Sequence, residues 1–389
     1  MAVQVQAPTT GSRASWFEVL YDLILVAAVL HGSSLFEQDP SLAKGTWLAA
    51  TLLVLLTMWL LTTLTFNTTP EDWTLRRLLT LVQMLALVVA SLSISRTSGL
   101  SDSTGLFALG VAFASVAVLY FMRARRRGLD RRGATIVGWS TSAAALVCLI
   151  GALLPEASGP ILTRPTTYVF ALVLVLGLVP LVTVYLGELE ASHLLDRQHL
   201  AERAGQLVII SLGESFADLV FTLGGFDFIP NPTYLVLTFV IIYVVWAIYF
   251  RTVVPPGIPH GAGRVRVWMA AHYLLIFGAI GMATAFSVLA TMSFDDASAA
   301  LASYRLPLPL FYVMVSFVVL VWVTGISERS FLWVHSVAAL LLLGLVAAGV
   351  FLPDNRPATM GVVAAAIVIA DVAVISWMRR GDRGPHSVA

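Results

Sequence analysis

Long apolar stretches, each about the length of a membrane-spanning helix, recur along the whole sequence and constrain its fold more than any other feature. A helix needs about 20 mainly apolar residues to cross the hydrocarbon core of a bilayer. Hydrophobic residues make up 58% of the chain and charged residues 12%. The sequence therefore predicts an all-α polytopic membrane protein with about 12 transmembrane helices. The predicted spans are 15–36, 45–66, 76–95, 105–122, 134–154, 166–188, 199–224, 232–250, 266–292, 308–326, 332–352 and 359–378.

The distribution of basic residues predicts how these helices are oriented. Lysine and arginine near helix ends are retained on the cytoplasmic side. When the basic segment RARRRGLDRR (123–132) is placed inside, both termini also lie inside. We therefore predict an N-in, C-in topology with cytoplasmic tails at 1–14 and 379–389. The basic residues then left outside are Lys44, Arg96, Arg164, Arg305 and Arg356.

The chain also contains a weak internal repeat. WFEVLYDLILVAAVL (16–30) aligns with LAERAGQLVIISLGE (200–214), which places Glu18 on Glu202, and the same offset places Phe66 on Phe250. Two halves of the same orientation are typical of one class of secondary transporter. We predict a first six-helix half at 15–190 and a second at 191–378.

Ionisable side chains enter the membrane on the predicted seventh helix, in the segment HLAERAGQLVIISLGES (199–215). On a helix that advances about 100° per residue, most of these polar side chains share one face, and Glu202 lies beside its edge. At 1.5 Å per residue, Glu214 lies about 18 Å deeper than Glu202, near the bilayer centre. The shared face carries His199, Arg203, Gln206, Glu214 and Asp218.

Two carboxylates on the first helix, Glu18 and Asp22, are one turn apart and enter the membrane from the same side. We expect this face to pack against the seventh helix, so that the carboxylates lie opposite His199 and Arg203. An arginine–carboxylate pair would neutralise charge that lipid does not solvate. Such pairs either lock two helices together or take part in function, and the sequence leaves both roles open.

Glu214 differs from these residues because its own helix offers no basic side chain one turn away. It must find a partner on another helix, line a wet cavity or be protonated. We assign proton handling or acid–base chemistry to His199, Glu202 and Glu214. The candidate binding residues are Glu18, Asp22, Arg203, Gln206, Asp218 and His272.

Four segments resemble the low temperature requirement protein A (LtrA) family of bacterial membrane proteins. They occur in the family's order and span most of the chain. The resemblance implies a multi-pass fold in the bacterial cytoplasmic (inner) membrane, and it supplies candidate residues without a reaction. The segments are SWFEVLYDLILVAAVLH, HLAERAGQLVIISLGES, WAIYF and HYLLIFGAIGMATA.

Three functions remain open from the sequence. The first is a proton-coupled secondary carrier of a small or amphipathic solute, and the second is an intramembrane acid–base enzyme acting on a lipid-like or natural-product substrate. The third is a structural or stress-adaptation protein without transport. The H-x-x-E spacing at 199–202 is not the E-x-x-H of di-iron bundles, so we assign no metal and no cofactor. The expected partners are the lipid bilayer and a small solute or substrate, with no nucleic acid; a homo-oligomer is left open.

Overall fold

The protein is built from α-helices, and the described residues contain no β-strand. The structure, a computed structural model, describes residues 15–38, 42–68, 74–94, 102–126, 130–154, 165–227, 232–291, 305–325, 329–351 and 357–381. The first helices are α1 (Trp16–Gln38), α2 (Leu42–Thr68), α3 (Thr74–Ile94), α4 (Asp102–Ala124) and α5 (Arg131–Gly151). Helix α6 runs from Pro165–Pro180 through a π-helical turn, Leu181–Tyr185, to Leu186–Ala191.

The second part of the chain continues the same pattern. Its helices are α7 (Arg197–Leu223), α8 (Pro232–Ile248, extended by a π-helical turn, Tyr249–Val253), α9 (Ala262–Thr291), α10 (Pro307–Thr324), α11 (Arg329–Phe351) and α12 (Pro357–Gly381). Among the described residues, eleven helices, α2 to α12, are long and apolar enough to cross a membrane. The prediction of an all-α polytopic membrane protein is therefore confirmed.

The helix ends agree with the predicted spans to within about four residues, the uncertainty expected for boundaries read from sequence. The predicted N-terminal tail, 1–14, lies outside the described residues. Residues 379–381, the first of the predicted C-terminal tail, are helical and belong to α12, and 382–389 lie outside the described residues.

The π-helical turn in α6 follows directly from Pro180. Proline has no backbone N–H, so the carbonyl of Leu176, four residues earlier, loses its usual helical donor. Ser140 on α5 supplies a replacement, because its hydroxyl donates a hydrogen bond to that carbonyl. The helix then widens into a π-helical turn at Leu181–Tyr185. A neighbouring helix thus satisfies the backbone group that proline leaves free, as a membrane interior requires.

The basic connection between α4 and α5 is held by an ion pair. Arg123 donates from Nε and Nη2 to the two carboxylate oxygens of Asp130, at 2.7 and 2.8 Å. The Tyr185 hydroxyl donates to the same carboxylate at 3.3 Å, and Glu188 Oε2 accepts from the backbone N–H of Gly133 at 2.6 Å. These contacts fix the start of α5 against the end of α6.

The chain divides into two compact units, Met1–Gln206 and Leu207–Ala389, and the division falls within α7. In the first unit, α1 packs against α2 and α3, and α2 packs against α4 and α6. Successive helices from α3 to α6 pack in sequence. A buried polar contact joins α1, α2 and α3, where Gln83 Nε2 donates to the Tyr21 hydroxyl at 2.7 Å and to the Thr62 hydroxyl at 2.8 Å.

In the second unit, successive helices from α9 to α12 also pack in sequence, and α8 packs against α9, α10 and α12. The remaining part of α7 contacts α9 through a hydrogen bond from Ser215 to the carbonyl of Ala279, at 3.4 Å. It contacts α8 through the rings of Phe216 and Phe239, whose centroids are 4.5 Å apart. When α1 to α6 are matched in order with α7 to α12, the helix–helix contacts described for the first unit therefore recur between the matching helices of the second.

Close packing of α9 on α10 depends on Gly278, and this predicts an effect of substitution. A Cβ at this position would lie 2.8 Å from the Val313 side chain and 2.9 Å from the carbonyl oxygen of Pro309. We expect Gly278→Ala to lower the free energy of unfolding by about 1–3 kcal/mol, because the backbone of α10 must shift. Gly213 on α7 is the matched control, since a Cβ there meets nothing within 4 Å. Melting temperatures in detergent should fall for Gly278→Ala and stay level or rise for Gly213→Ala; equal losses would contradict the packing argument.

Candidate functional site

The site begins with two helix caps that fix the positions of Glu18 and His199. Ser15 precedes α1, and Glu18 Oε2 accepts hydrogen bonds from the Ser15 backbone N–H at 2.7 Å and from its hydroxyl at 3.1 Å. This is a capping box, in which a residue of the first turn bonds back to the cap. Asp196 caps α7 in a similar way, because its Oδ1 accepts from the backbone N–H of His199 at 3.0 Å.

Glu18 and His199 form a buried pair between α1 and α7. His199 Nε2 lies 3.2 Å from Glu18 Oε1 and 3.3 Å from Oε2. The other ring nitrogen, Nδ1, lies 3.4 Å from the amide nitrogen of Asn67, which is a donor. Two hydrogen bonds to the backbone of Asp196 hold Asn67 in this orientation. The Asn67 amide nitrogen donates to the Asp196 carbonyl oxygen at 2.7 Å, and the Asn67 amide oxygen accepts from the Asp196 N–H at 2.8 Å. The network assigns the proton to Nε2 and leaves a neutral imidazole whose Nδ1 accepts.

One turn further along both helices, Asp22 and Arg203 form a second pair. Arg203 Nη2 donates to Asp22 Oδ1 at 2.7 Å, and both side chains are 0% exposed. Trp59 on α2 donates from its indole nitrogen to the same carboxylate oxygen at 2.6 Å. A charged pair removed from water in this way needs good geometry and further hydrogen bonds to offset its desolvation.

The face of α2 that lines these pairs was not predicted from the sequence. Trp59 bonds Asp22 and Asn67 bonds His199, and they are eight residues apart on one helix. Thr63 lies midway between them, one turn from each, and is fully buried. The sequence does carry a signal for this face, because side chains that can form hydrogen bonds recur at every fourth position of an apolar helix. None of the three, Trp59, Thr63 and Asn67, is charged.

The predicted contact between the charged faces of α1 and α7 is therefore observed, with Glu18 against His199 and Asp22 against Arg203. The roles assigned to these residues stay predictions. Gln206, one turn beyond Arg203, is half-buried, and its Oε1 is a buried acceptor without a hydrogen bond in the described structure. Glu202 accepts a hydrogen bond from Gln198 at 3.2 Å.

In the second unit, Glu214 and Asp218 lie one turn apart on α7. The Ser287 hydroxyl on α9 donates to Asp218 Oδ2 at 2.5 Å. Glu214 is half-buried, and no described residue forms an ion pair or a hydrogen bond with its carboxylate. Of the three alternatives predicted for Glu214, a partner on another helix is therefore not observed among the described residues. Its carboxylate must be satisfied by water or a solute, or be protonated.

His272 belongs to a separate contact within the second unit, on α9. Its Nδ1 lies 2.8 Å from the carbonyl oxygen of Trp268, which accepts, so Nδ1 carries the proton. Nε2 is then the acceptor for the Tyr249 hydroxyl, at 3.0 Å. Both ring nitrogens of His272 are thus hydrogen-bonded within the described protein, and the binding role assigned to His272 stays a prediction.

The sequence did not predict a further buried pair, His335 and Asp371. His335 on α11 and Asp371 on α12 are both fully buried, with Nδ1 2.9 Å from Oδ2. The two residues were separated by 36 positions in sequence, and neither belongs to a motif. Their contact joins the last two helices of the second unit.

Comparison with known proteins gives one family. A family model described as "Bacterial low temperature requirement A protein (LtrA)" matches residues 13–372 of the chain. A search of curated proteins finds no match. The matched range contains both pairs of the α1 and α7 contact, and also Glu214 and His272.

Proposed function

Since the chain belongs to the bacterial low temperature requirement A (LtrA) family, a family of integral membrane proteins, we propose that it is a proton-coupled secondary carrier of a small or amphipathic solute. The carrier would lie in the bacterial cytoplasmic membrane. Its intramembrane carboxylates would bind and release the coupling proton.

The observation that carries this proposal is the environment of Glu214. The residue lies in a 27-residue helix that is apolar enough to span a membrane. No described residue offers its carboxylate an ionic or hydrogen-bonding partner. An uncompensated charge at this depth costs at least about 2.5 kcal/mol, whereas a protonated carboxyl costs less. A group whose charge is tolerated only when water or solute reaches it is suited to taking up and releasing a proton.

The Glu18 and His199 pair supplies a second place for a proton. In the neutral tautomer, His199 donates to Glu18 through Nε2 and accepts from Asn67 through Nδ1. Protonation would exchange the weak Asn67 contact for a full ion pair with Glu18. The two states differ by one proton and one long hydrogen bond.

The packing within each unit supports the architecture expected of such a carrier. When α1 to α6 are matched with α7 to α12, the same helix neighbours recur in both units. We propose two six-helix halves, 15–190 and 191–378, of the same orientation and with both termini inside. Parallel repeats of this kind are one known architecture of secondary transporters.

The test is solute-dependent proton movement in liposomes. The purified full-length protein is reconstituted with a pH-sensitive dye inside the vesicles, and a low-molecular-mass extract of bacterial cells is added outside. We expect the internal pH to change only in vesicles that contain the protein, and a protonophore to abolish the change.

Fractionating the extract then identifies the solute. Turnover of a compound without any proton movement would contradict the carrier and favour the intramembrane enzyme. No proton movement and no turnover with any fraction would favour the structural role.

A further inference from the structure

Unpartnered polar atoms are concentrated where α1, α2 and α7 meet. Within the described structure, five buried side-chain atoms of this junction have no hydrogen-bond partner. They are Asp22 Oδ2, Thr63 Oγ1, Arg203 Nε, Arg203 Nη1 and Gln206 Oε1. Buried polar groups in proteins are nearly always hydrogen-bonded, and a buried guanidinium or carboxylate without partners is costly. The concentration of such atoms in one place indicates that something other than the protein bonds them.

The positions of these atoms follow from contacts already described. Asp22 and Arg203 are joined through Oδ1 and Nη2, so their other polar atoms lie beside that hydrogen bond. Thr63 occupies the face of α2 between Trp59 and Asn67, both of which contact the pairs. Gln206 is three residues from Arg203 and therefore a neighbour on the surface of α7.

The atoms define the chemistry of a ligand. Arg203 has unpartnered N–H donors on Nε and Nη1, one on each side of the Nη2 that bonds Asp22. Charged N–H groups of this kind donate to carboxylate or phosphate oxygens. Asp22 Oδ2 and Gln206 Oε1 accept hydrogen bonds only, so the ligand must also carry an O–H or N–H group. The Thr63 hydroxyl bonds either kind of group.

From this juxtaposition we propose that the α1, α2 and α7 junction binds an organic anion that also carries a hydroxyl or amino group. Its carboxylate or phosphate oxygens accept from Arg203, and its O–H or N–H donates to Asp22 and Gln206. The identification of this anion as the transported solute rests on the proposed carrier function. The binding site itself does not.

The probes are three small molecules of similar shape, titrated against the full chain in lipid nanodiscs. Lactate carries a carboxylate and a hydroxyl, propionate lacks the hydroxyl, and propane-1,2-diol lacks the carboxylate. Malate, citrate, glycerol 3-phosphate and inorganic phosphate extend the series to larger anions. A ligand that binds the folded state raises the melting temperature in a saturable way. We expect at least one hydroxylated anion to do so, its analogue without the hydroxyl to bind at least tenfold more weakly, and the diol to have no effect.

Two variants test the assignment of atoms. Arg203→Lys keeps the charge opposite Asp22 but removes the planar set of donors, and we expect at least tenfold weaker binding of the anion. Thr63→Val removes a hydroxyl that has no partner in the described protein. It should weaken anion binding three- to tenfold while its own melting temperature stays level or rises.

Thr51→Val is the matched control for Thr63→Val. Thr51 is also on α2, is also buried and also has a hydroxyl without a described partner, but it lies two turns before Trp59. Anion affinity should not change in this variant. Equal weakening by Thr51→Val and Thr63→Val would overturn the assignment of the site to this junction.

Lipid headgroups are a second source of the same chemistry. Native mass spectrometry distinguishes them, because a phosphatidylglycerol retained by the parent and lost from Arg203→Lys identifies the anion as a headgroup. If no hydroxylated anion binds more tightly than the diol and no anionic lipid is retained, the proposal is wrong. Anion binding without proton movement would contradict the carrier function and support the anion site. Proton movement without anion binding would support the carrier function and contradict the anion site.

Discussion

Arg203→Met is expected to lower the free energy of unfolding by about 3–5 kcal/mol, since removing one partner of a buried pair leaves a buried charge without compensation. The charge in question is that of Asp22, which is 0% exposed and which, among the described residues, is otherwise bonded only by the indole N–H of Trp59. Unfolding by sodium dodecyl sulfate in mixed micelles, followed by circular dichroism, measures the change. Arg197→Met on the same helix is the control, because Arg197 pairs with Glu190 in a partly exposed position. That variant should lose about 1 kcal/mol or less.

The double variant Asp22→Asn/Arg203→Met should recover most of the loss. Asparagine keeps an oxygen that accepts from Trp59, and the buried charge is gone together with its partner. Neutral replacements of a buried ion pair are often as stable as the pair itself. A double variant as unstable as Arg203→Met would contradict this account, since the loss would then come from missing packing of the arginine side chain.

The double variant also separates the two roles left open for this pair. If Asp22 and Arg203 only lock α1 to α7, a stable double variant keeps solute-dependent proton movement. If they bind the transported solute, the same stable protein loses that proton movement. Stability and transport are thus expected to respond differently to one pair of substitutions.

The membrane-spanning helices were predictable because one physical requirement acts on every one of them. Each needs about 20 apolar residues, and this signal is strong even where Pro180 interrupts α6. The π-helical turn that follows Pro180 was not predictable, because it depends on Ser140 supplying a hydrogen bond from α5.

The charged contact between α1 and α7 was predictable from helical periodicity and charge alone. Glu18 and Asp22 share a face, His199 and Arg203 share a face, and a membrane interior favours pairing of opposite charges. The contribution of α2 was missed because Trp59 and Thr63 are ordinary residues of apolar helices. Their importance follows only from the neighbours that the fold gives them. The contacts of His272 were likewise not predictable, because the hydrogen bonds of its two ring nitrogens depend on the positions of Tyr249 and Trp268 in the fold.

The largest functional effect is expected for Glu214→Gln. Glutamine has nearly the same shape but binds no proton in the physiological range, so solute-dependent proton movement in liposomes should fall at least tenfold. Stability should not fall with it, because the carboxylate forms no ion pair or hydrogen bond with the described protein. Asp227→Asn is the control, since Asp227 is an exposed carboxylate just beyond the end of α7. Its proton movement should match that of the parent.

Glu214→Asp separates a need for a titratable group from a need for side-chain length. Aspartate keeps a carboxyl one methylene shorter, so partial proton movement is expected, between the values for the parent and for glutamine. Unchanged proton movement in Glu214→Gln would exclude Glu214 as the coupling group and leave the Glu18 and His199 pair to carry the proton. The expected pattern is therefore opposite at the two positions of α7: substitution of Arg203 lowers stability, whereas substitution of Glu214 removes activity from a protein that remains folded. A helix whose charges were all structural would lose stability at both.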